Sequence, residues 1–249
     1  MRGQTDSPAV PRIHGAPGER ARFAGVVRAL WPLLGAMFVA GMLVGGMLPR
    51  NAPFFFHGLP LLLVAVSAFG AALGPGRRRI NAFFSGARGE ELVGAELTRL
   101  PGGYDIFNGV DLGASDAGMS RGSDLDHVVV GPFGACVIET KAWNGVVTVE
   151  NGRILANGAQ PTRSPIAQAR QSAAALSAWF KAHGLGEIPV RSVVCFAGNG
   201  GSRLLCKVDE VEVCGLPNLL NVISESASAE LPRETLSRAV ELLSPLVDM

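Results

Sequence analysis

The sequence predicts an α/β domain preceded by a transmembrane helical hairpin. Two runs without a charged residue, at 29–48 and 52–76, are each long enough to cross roughly 30 Å of hydrocarbon as a helix. Downstream, short β-branched segments are interleaved with segments of helical periodicity, the pattern of a mixed sheet flanked by helices. The 249 residues leave room for this anchor beside one domain of about 100 to 200 residues.

The charge distribution orients the predicted hairpin. Residues 1–80 contain nine Arg against Asp6 and Glu19, a net charge of +7. The arginines precede the first run and follow the second, and only a few residues around Arg50 connect the runs. The positive-inside rule therefore places both termini and the soluble domain in the cytoplasm, with the lipid bilayer as a partner. A pair of buried core helices, or a cleaved signal peptide followed by one anchor, are the alternatives.

Composition divides the chain into five predicted segments. Residues 1–22, rich in Gly, Pro and Arg, predict a disordered basic tail. The two spans occupy residues 23–76, and residues 77–85 form a basic linker. Residues 86–197 predict the main domain, which residues 198–249 extend and complete.

Two further features of composition limit the function. From residue 81 onward the chain has 13 Lys and Arg against 19 Asp and Glu, a net charge of −6, which does not favour broad binding to duplex phosphates. The four cysteines show no metal-binding spacing, so we expect free core thiols in a reducing cytoplasm.

Hydrophobic periodicity and turn signals predict the elements of the domain in chain order. A helix begins near Glu90 and has an apolar face that ends at Leu100. Strands are predicted at 104–110, 123–130, 135–141, 146–149, 154–156, 190–197 and 208–213, and two further helices at 164–183 and 233–243.

A tight hairpin in this pattern brings two carboxylates together. A turn centred on residues 131–134 pairs its two flanking glycines, and the same register pairs Asp126 with Glu139. Directly opposite residues have Cβ atoms roughly 5 Å apart, close enough to bind one divalent cation. Side chains alternate along a strand, so Lys141 projects from the same face as Glu139.

Two carboxylates and an ammonium group are what a metal-dependent phosphodiesterase needs. The acidic oxygens hold Mg²⁺ or Mn²⁺, the metal acidifies a water, and the lysine positions that water or stabilises developing charge. Lys141 is one of three Lys in a chain with 19 Arg, and Glu139 interrupts an apolar strand, where an unpaired carboxylate is costly. A structural Glu139–Lys141 ion pair is the alternative.

Several motifs in order indicate a family. They are Gly86-x-x-Gly89-Glu90, Asp126-His127-Val128-Val129-Val130-Gly131-Pro132 with Gly134, Ile138-Glu139-Thr140-Lys141-x-Trp143-x-Gly145, and Pro165-x-x-Gln168. This stretch, just under half of the chain, resembles the nuclease-related domain (NERD), a branch of the PD-(D/E)xK nuclease superfamily. The resemblance implies a restriction-endonuclease-like core, a mixed central sheet flanked by helices. It also implies Asp126, Glu139 and Lys141 as metal and catalytic residues, supported by Glu90 and Gln168. The superfamily's Pro-Asp is absent, because Leu125 precedes Asp126.

Other roles remain open for the supporting residues. Glu90 could solvate or cap its helix end, and Gln168 could bond a neighbouring loop. His127 lies on the strand face opposite to Asp126, which indicates a core or surface residue, and Trp143 could stack on a base or pack beside the Gly145 turn. Scattered arginines either line a phosphate path or form solvated faces: Arg121, Arg153, Arg163 and Arg170.

The sequence thus predicts a membrane-anchored nuclease that uses Mg²⁺ or Mn²⁺ and acts on nucleic acid, DNA rather than RNA, in the cytoplasm. The alternative function is a non-catalytic nuclease-like module that tethers nucleic acid or a protein partner to the membrane.

Overall fold

A computed structural model of the chain describes residues 10–18, 84–113, 125–225 and 230–247, with isolated positions between 22 and 41. Met1–Glu19 and Gly86–Met249 together form one compact unit. The predicted spans lie, apart from the isolated positions, outside the described residues. Within the described part, no helix is both long enough and apolar enough to cross a membrane.

The compact unit contains nine strands and four α-helices among the described residues. In chain order they are β1 (Arg12–His14), α1 (84–97), β2 (Asp105–Val110), β3 (Leu125–Gly131), β4 (Gly134–Lys141), β5 (Val147–Glu150), β6 (Arg153–Ala156), α2 (Pro165–Ala182), β7 (Val190–Phe196), β8 (Leu205–Val208), β9 (Val211–Gly215), α3 (Leu219–Ser224) and α4 (Arg233–Leu243).

Seven of the strands form one mixed sheet in the order β1-β2-β3-β4-β7-β9-β8. Strands β2, β3 and β4 form an antiparallel meander, and β7 then joins β4 in parallel, as β9 joins β7. The parallel β4–β7 pair is possible because α2 lies in the crossover between them. Strands β5 and β6 form a separate hairpin in the same crossover. This mixed α/β architecture fits a restriction-endonuclease-like core.

Helices cover both faces of the sheet. On one face, Phe107 and Val137 pack with Leu176 and Phe180 of α2 and with Leu243 of α4. On the other face, Leu97 of α1 and Leu219 of α3 pack with sheet residues that include Ile138 and Cys195. Alternate residues of β4 therefore enter opposite cores, as strand geometry requires.

Local sequence signals set several boundaries as predicted. Helix α2 starts where Ser164 caps it, with the Ser164 hydroxyl accepting from the Ala167 N–H at 3.3 Å, and Pro165 occupies the first turn. Helix α4 spans Arg233–Leu243, the range predicted from sequence. The β5–β6 turn uses Asn151 and Gly152, both at positive φ.

The N-terminal tail differs from its predicted disorder. Arg12–His14 forms strand β1, paired in parallel with β2. The Arg12 guanidinium contacts the Asp105 carboxylate at 2.7 Å, and the His14 ring stacks on Phe107 with centroids 4.4 Å apart. Prediction of disorder from composition is wrong for these three residues, because their partners lie about ninety positions away.

The glycines that follow β1 explain how closely this segment packs on the domain. Gly18 has φ of +75°, and a Cβ there would strike the Ala87 carbonyl of α1. A side chain at Gly94 would strike the Pro17 ring. Residue 18 thus lies directly against residue 87.

The C-terminal part of the sheet also departs from prediction. The single strand predicted at 208–213 is a hairpin of β8 and β9. Asp209 and Glu210 form its turn with φ of 46° and 64°. The dipeptide Asp209-Glu210 is not one of the Asn-Gly or Asp-Gly signals that mark such turns, so the sequence did not indicate a break. Helix α3, which was not predicted, follows β9.

Candidate active site

The β3–β4 hairpin has the register that the sequence predicts. Gly131 pairs with Gly134, and His127 pairs with Ile138. One further step of the same register places Asp126 opposite Glu139. Gly134 permits the tight turn, because its φ of +119° is strained for other residues.

Asp126 is held by the neighbouring strand. Its Oδ2 accepts a hydrogen bond of 2.8 Å from the Thr140 backbone N–H, and the residue is half-buried. Burial raises the pKa of the Asp126 carboxyl well above its ordinary value, and the carboxylates of Glu139 and Glu90 raise that pKa further. The Thr140 hydrogen bond and the Lys141 charge oppose this rise. Asp126 therefore lies in a field of excess negative charge.

Glu139 and Lys141 form an ion pair on the same face of β4. The Lys141 Nζ lies 2.5 Å from the Glu139 Oε1, and the two side chains are only 17% and 12% exposed. The structure thus contains both the shared face predicted for the site and the ion pair considered as its alternative. The contact uses Oε1 of Glu139 and leaves Oε2 outside this ion pair.

Glu90 reaches the group from helix α1. The start of α1 packs against the end of β4 so closely that a Cβ on Gly89 would meet the side chains of Thr140 and Ala142. This approach explains why Glu90 adds to the pKa rise of Asp126. Three carboxylates and one ammonium group give the cluster a formal charge of −2 when all are ionised.

The side chains of the cluster are chemically suited to a divalent cation, but they do not by themselves form a complete coordination shell. Among the described residues, no three His, Cys, Asp or Glu side chains are gathered closely enough to hold a metal ion. Magnesium, however, is commonly bound by one or two carboxylates, with waters and substrate phosphates completing its shell. Asp126 and Glu139 supply such hard oxygen ligands, and a cation would relieve the repulsion that raises the Asp126 pKa. The residues present therefore fit Mg²⁺ or Mn²⁺.

Gln168 is not hydrogen-bonded to this cluster in the described part of the chain. It lies on α2 and is half-buried, and its backbone N–H continues the helix by bonding the Ser164 carbonyl at 3.1 Å. Within the described ranges, no hydrogen bond links the Gln168 side chain to Asp126, Glu139 or Lys141. Its predicted supporting role stays a prediction.

His127 is a core residue, as its strand face predicts. It is fully buried, and its Nδ1 lies 2.8 Å from the Asn108 Oδ1. The Asn108 amide donates in turn to the Gly15 carbonyl at 3.1 Å. Burial lowers the pKa of the His127 imidazole to about 3, so the ring is neutral.

Trp143 packs rather than projecting freely from the surface. Its ring lies 5.4 Å from the Phe196 ring, tilted by 60°, and its carbonyl leaves no space for a side chain at Gly198. This is the packing role considered for it beside the Gly145 turn.

Two contributors escaped sequence analysis. The backbone N–H of Thr140 orients Asp126, and a main-chain donor has no sequence signal apart from the strand register. Asn108 fixes the ring of His127, and only the pairing of β2 with β3 brings these two residues opposite each other.

The mixed sheet and its acid-bearing hairpin fit an α/β fold with a restriction-endonuclease-like core. The model of the nuclease-related domain family, NERD, matches residues 85–197. This match supports the resemblance drawn from the motifs. It covers just under half of the chain, which is similar to the nuclease-related domain family over these residues.

One curated relative is similar to about half of the chain. A protein described as "Probable kinase PglW" from Streptomyces coelicolor (strain ATCC BAA-471 / A3(2) / M145) is 29% identical over 127 residues. The alignment covers 49% of this chain and 8% of that protein, so the chain spans less than a tenth of that relative's length. No solved structure matches the chain.

Proposed function

We propose that the protein is a nuclease that depends on Mg²⁺ or Mn²⁺ and is anchored to the membrane with its catalytic domain in the cytoplasm. The observation that carries this proposal is the convergence of Asp126, Glu139 and Lys141 at one end of the β3–β4 hairpin. The family match over residues 85–197 supports it. The substrate class is nucleic acid, with DNA preferred to RNA.

Each residue of the cluster has a distinct role in this proposal. Asp126 and Glu139 would hold the cation, and the Thr140 N–H fixes one oxygen of the Asp126 carboxylate. When bound there, Mg²⁺ or Mn²⁺ would supply an acidified water and positive charge for the phosphate. Lys141 leaves Glu139 to position the attacking water or to stabilise the negative charge that develops on the phosphate. Glu90 supports the site by adding negative charge.

The membrane anchor rests on the sequence. The two uncharged runs and the arginines that flank them favour a two-span hairpin with both termini in the cytoplasm. The described residues Gly18 and Ala87, which flank this stretch in sequence, lie next to each other, and a hairpin with both ends on one side of the membrane is compatible with that contact.

A non-catalytic nuclease-like module is the second candidate function. It is favoured by the Glu139–Lys141 ion pair, which partly neutralises the acids without a metal. The net charge of −6 from residue 81 onward also argues against broad duplex binding. In this function the domain tethers nucleic acid or a protein partner at the membrane.

A nicking assay separates the two functions. The full chain in detergent is incubated with supercoiled plasmid or with labelled RNA, and with Mg²⁺, Mn²⁺ or EDTA. We expect metal-dependent nicking of DNA that is stronger than cleavage of RNA and is abolished by Glu139→Gln. Absence of cleavage of both substrates by folded wild type with either metal would overturn the nuclease proposal and favour the binding module.

A further inference from the structure

A cleft lies between the β5–β6 hairpin and the first turns of α2. Its volume is about 330 Å³. Arg153 enters it from β6, Arg170 enters it from α2, and Gln160 and Ser164 line the loop between them. The sequence left these arginines as scattered candidates, and the fold brings two of the four around one cavity. Arg163 does not line the cleft, and Arg121 lies outside the described residues.

The two arginines carry unneutralised positive charge. Both are exposed, and neither forms an ion pair with any residue that the structure describes. Asp209, at the β8–β9 turn, is the acidic residue that lines the same cleft. The local charge is therefore +1 in a region of the chain that is −6 from residue 81 onward. Arginine favours phosphate because its planar group donates two parallel hydrogen bonds to oxygen atoms.

The cleft is lined mainly by polar groups. Ile154 and Ile166 also line it, but at 3% and 5% exposure they offer little surface to a ligand. The two arginines are therefore the groups that select an anion, and Gln160 and Ser164 can add hydrogen bonds to it or to the sugar and base of a nucleotide.

The cleft and the acidic cluster lie on elements that follow each other in the chain. Strand β4 ends at Lys141, and the chain enters the β5–β6 hairpin, one wall of the cleft, at Val147.

We propose that this cleft binds a backbone phosphate of nucleic acid through Arg153 and Arg170. The inference rests on the proposed function for its ligand. It also explains how an acidic domain holds a polyanion: contact is confined to a local basic cleft, while the remaining surface repels nonspecific duplex.

Binding without cleavage tests the cleft. The full chain in detergent and EDTA is titrated into a fluorescein-labelled DNA duplex, and anisotropy is followed from 50 to 200 mM salt. Arg153→Ala with Arg170→Ala should weaken binding at least tenfold. The slope of log affinity against log salt should fall by about 1.8, because each lost phosphate contact contributes roughly 0.9. Asp209→Asn should strengthen binding several-fold. Arg99→Ala is the matched control, because Arg99 pairs with Glu96 on α1, and it should change affinity less than twofold.

Competition identifies the source of the phosphate. A nucleoside monophosphate should displace the duplex at lower concentration than inorganic phosphate does, because only its sugar and base add contacts with the polar side chains that line the cleft. If inorganic phosphate displaces the duplex equally well, the cleft is a simple anion site and the nucleotide assignment is overturned. Equal duplex affinity and equal salt slope in the double variant and wild type, or no duplex binding by wild type, would overturn the proposal.

The cleft and the nuclease proposal fail in different ways. If the double variant loses duplex binding but metal-loaded wild type cleaves nothing, the cleft stands and the nuclease proposal fails. If wild type cleaves plasmid and the double variant binds duplex normally, the nuclease proposal stands and the cleft fails.

Discussion

The β3–β4 hairpin has a polar group on each face, and the two groups differ in burial and in charge. On the α2 face, Asp126 lies with Glu139 and Lys141, half-buried and with excess negative charge. On the α1 face, His127 lies fully buried and bonds Asn108. Asp126 and His127 are adjacent in sequence, yet the pKa of one is raised by like charges and burial, and the pKa of the other is lowered by burial alone.

We therefore expect a functional role for the acidic face of the hairpin and a structural role for its histidine face. The acidic face holds charged groups that are only partly exposed to solvent. The histidine face keeps a neutral ring whose partner, Asn108, also bonds the backbone after β1. Substitutions on the acidic face should therefore change catalysis and metal binding with little loss of stability. Substitutions on the histidine face should change stability and leave the metal site intact.

Lys141→Ala is expected to have the largest effect on the acidic face. In the proposed mechanism it removes the charge that assists hydrolysis, so we expect a loss of at least about 100-fold in nicking rate. Mn²⁺ binding should persist, because the carboxylates remain. Plasmid nicking and calorimetry with Mn²⁺ measure both, and Lys181→Ala on α2 is the control. An equal loss of metal affinity would place Lys141 in a structural role.

Loss of a carboxylate should act on metal affinity. Asp126→Asn and Glu139→Gln are nearly isosteric, and each removes one charged oxygen ligand, so we expect Mn²⁺ affinity to fall about tenfold or more. Circular dichroism should be unchanged. Calorimetry showing wild-type affinity in both variants would falsify the assignment of these residues as metal ligands.

Acid should weaken the fold through His127. The pKa of His127 in the folded protein is about 3, below the ordinary value of about 6.5. Between these two pH values, His127 is protonated in the unfolded chain and neutral in the native protein. Stability should be fully present above pH 6.5 and fall by up to about 1.4 kcal/mol per pH unit between 6.5 and 3. Urea unfolding in EDTA measures this. His127→Gln, which cannot titrate, should show a shallower decline, and parallel profiles would contradict the buried neutral ring.

The smallest effect expected is a gain of stability without metal. The raised pKa of Asp126 means that its ionised form is disfavoured in the native state. Asp126→Asn should therefore raise the midpoint of thermal unfolding slightly at neutral pH in EDTA. That gain should shrink as the pH falls through the raised native pKa and disappear below about 3.8, where both states bind the proton. A gain that persists at pH 3 would point to a cause other than charge repulsion.

The sequence by itself determined the parts of the site that depend on local periodicity. The turn at 131–134 set the hairpin register, and alternation along β4 set Lys141 on the face of Glu139. The capping Ser164 set the start of α2. These predictions succeeded because each rests on residues close together in the chain.

Only the tertiary structure decided the contacts between distant segments. Strand β1 forms because Arg12 pairs with the Asp105 carboxylate and His14 stacks on Phe107. No local sequence pattern predicts a partner so far along the chain. Arg153 and Arg170 meet around one cleft because the β5–β6 hairpin packs beside α2. Periodicity fixes which face a side chain takes on its own element, whereas packing between elements fixes which faces meet, and the energy of that packing is shared among many residues.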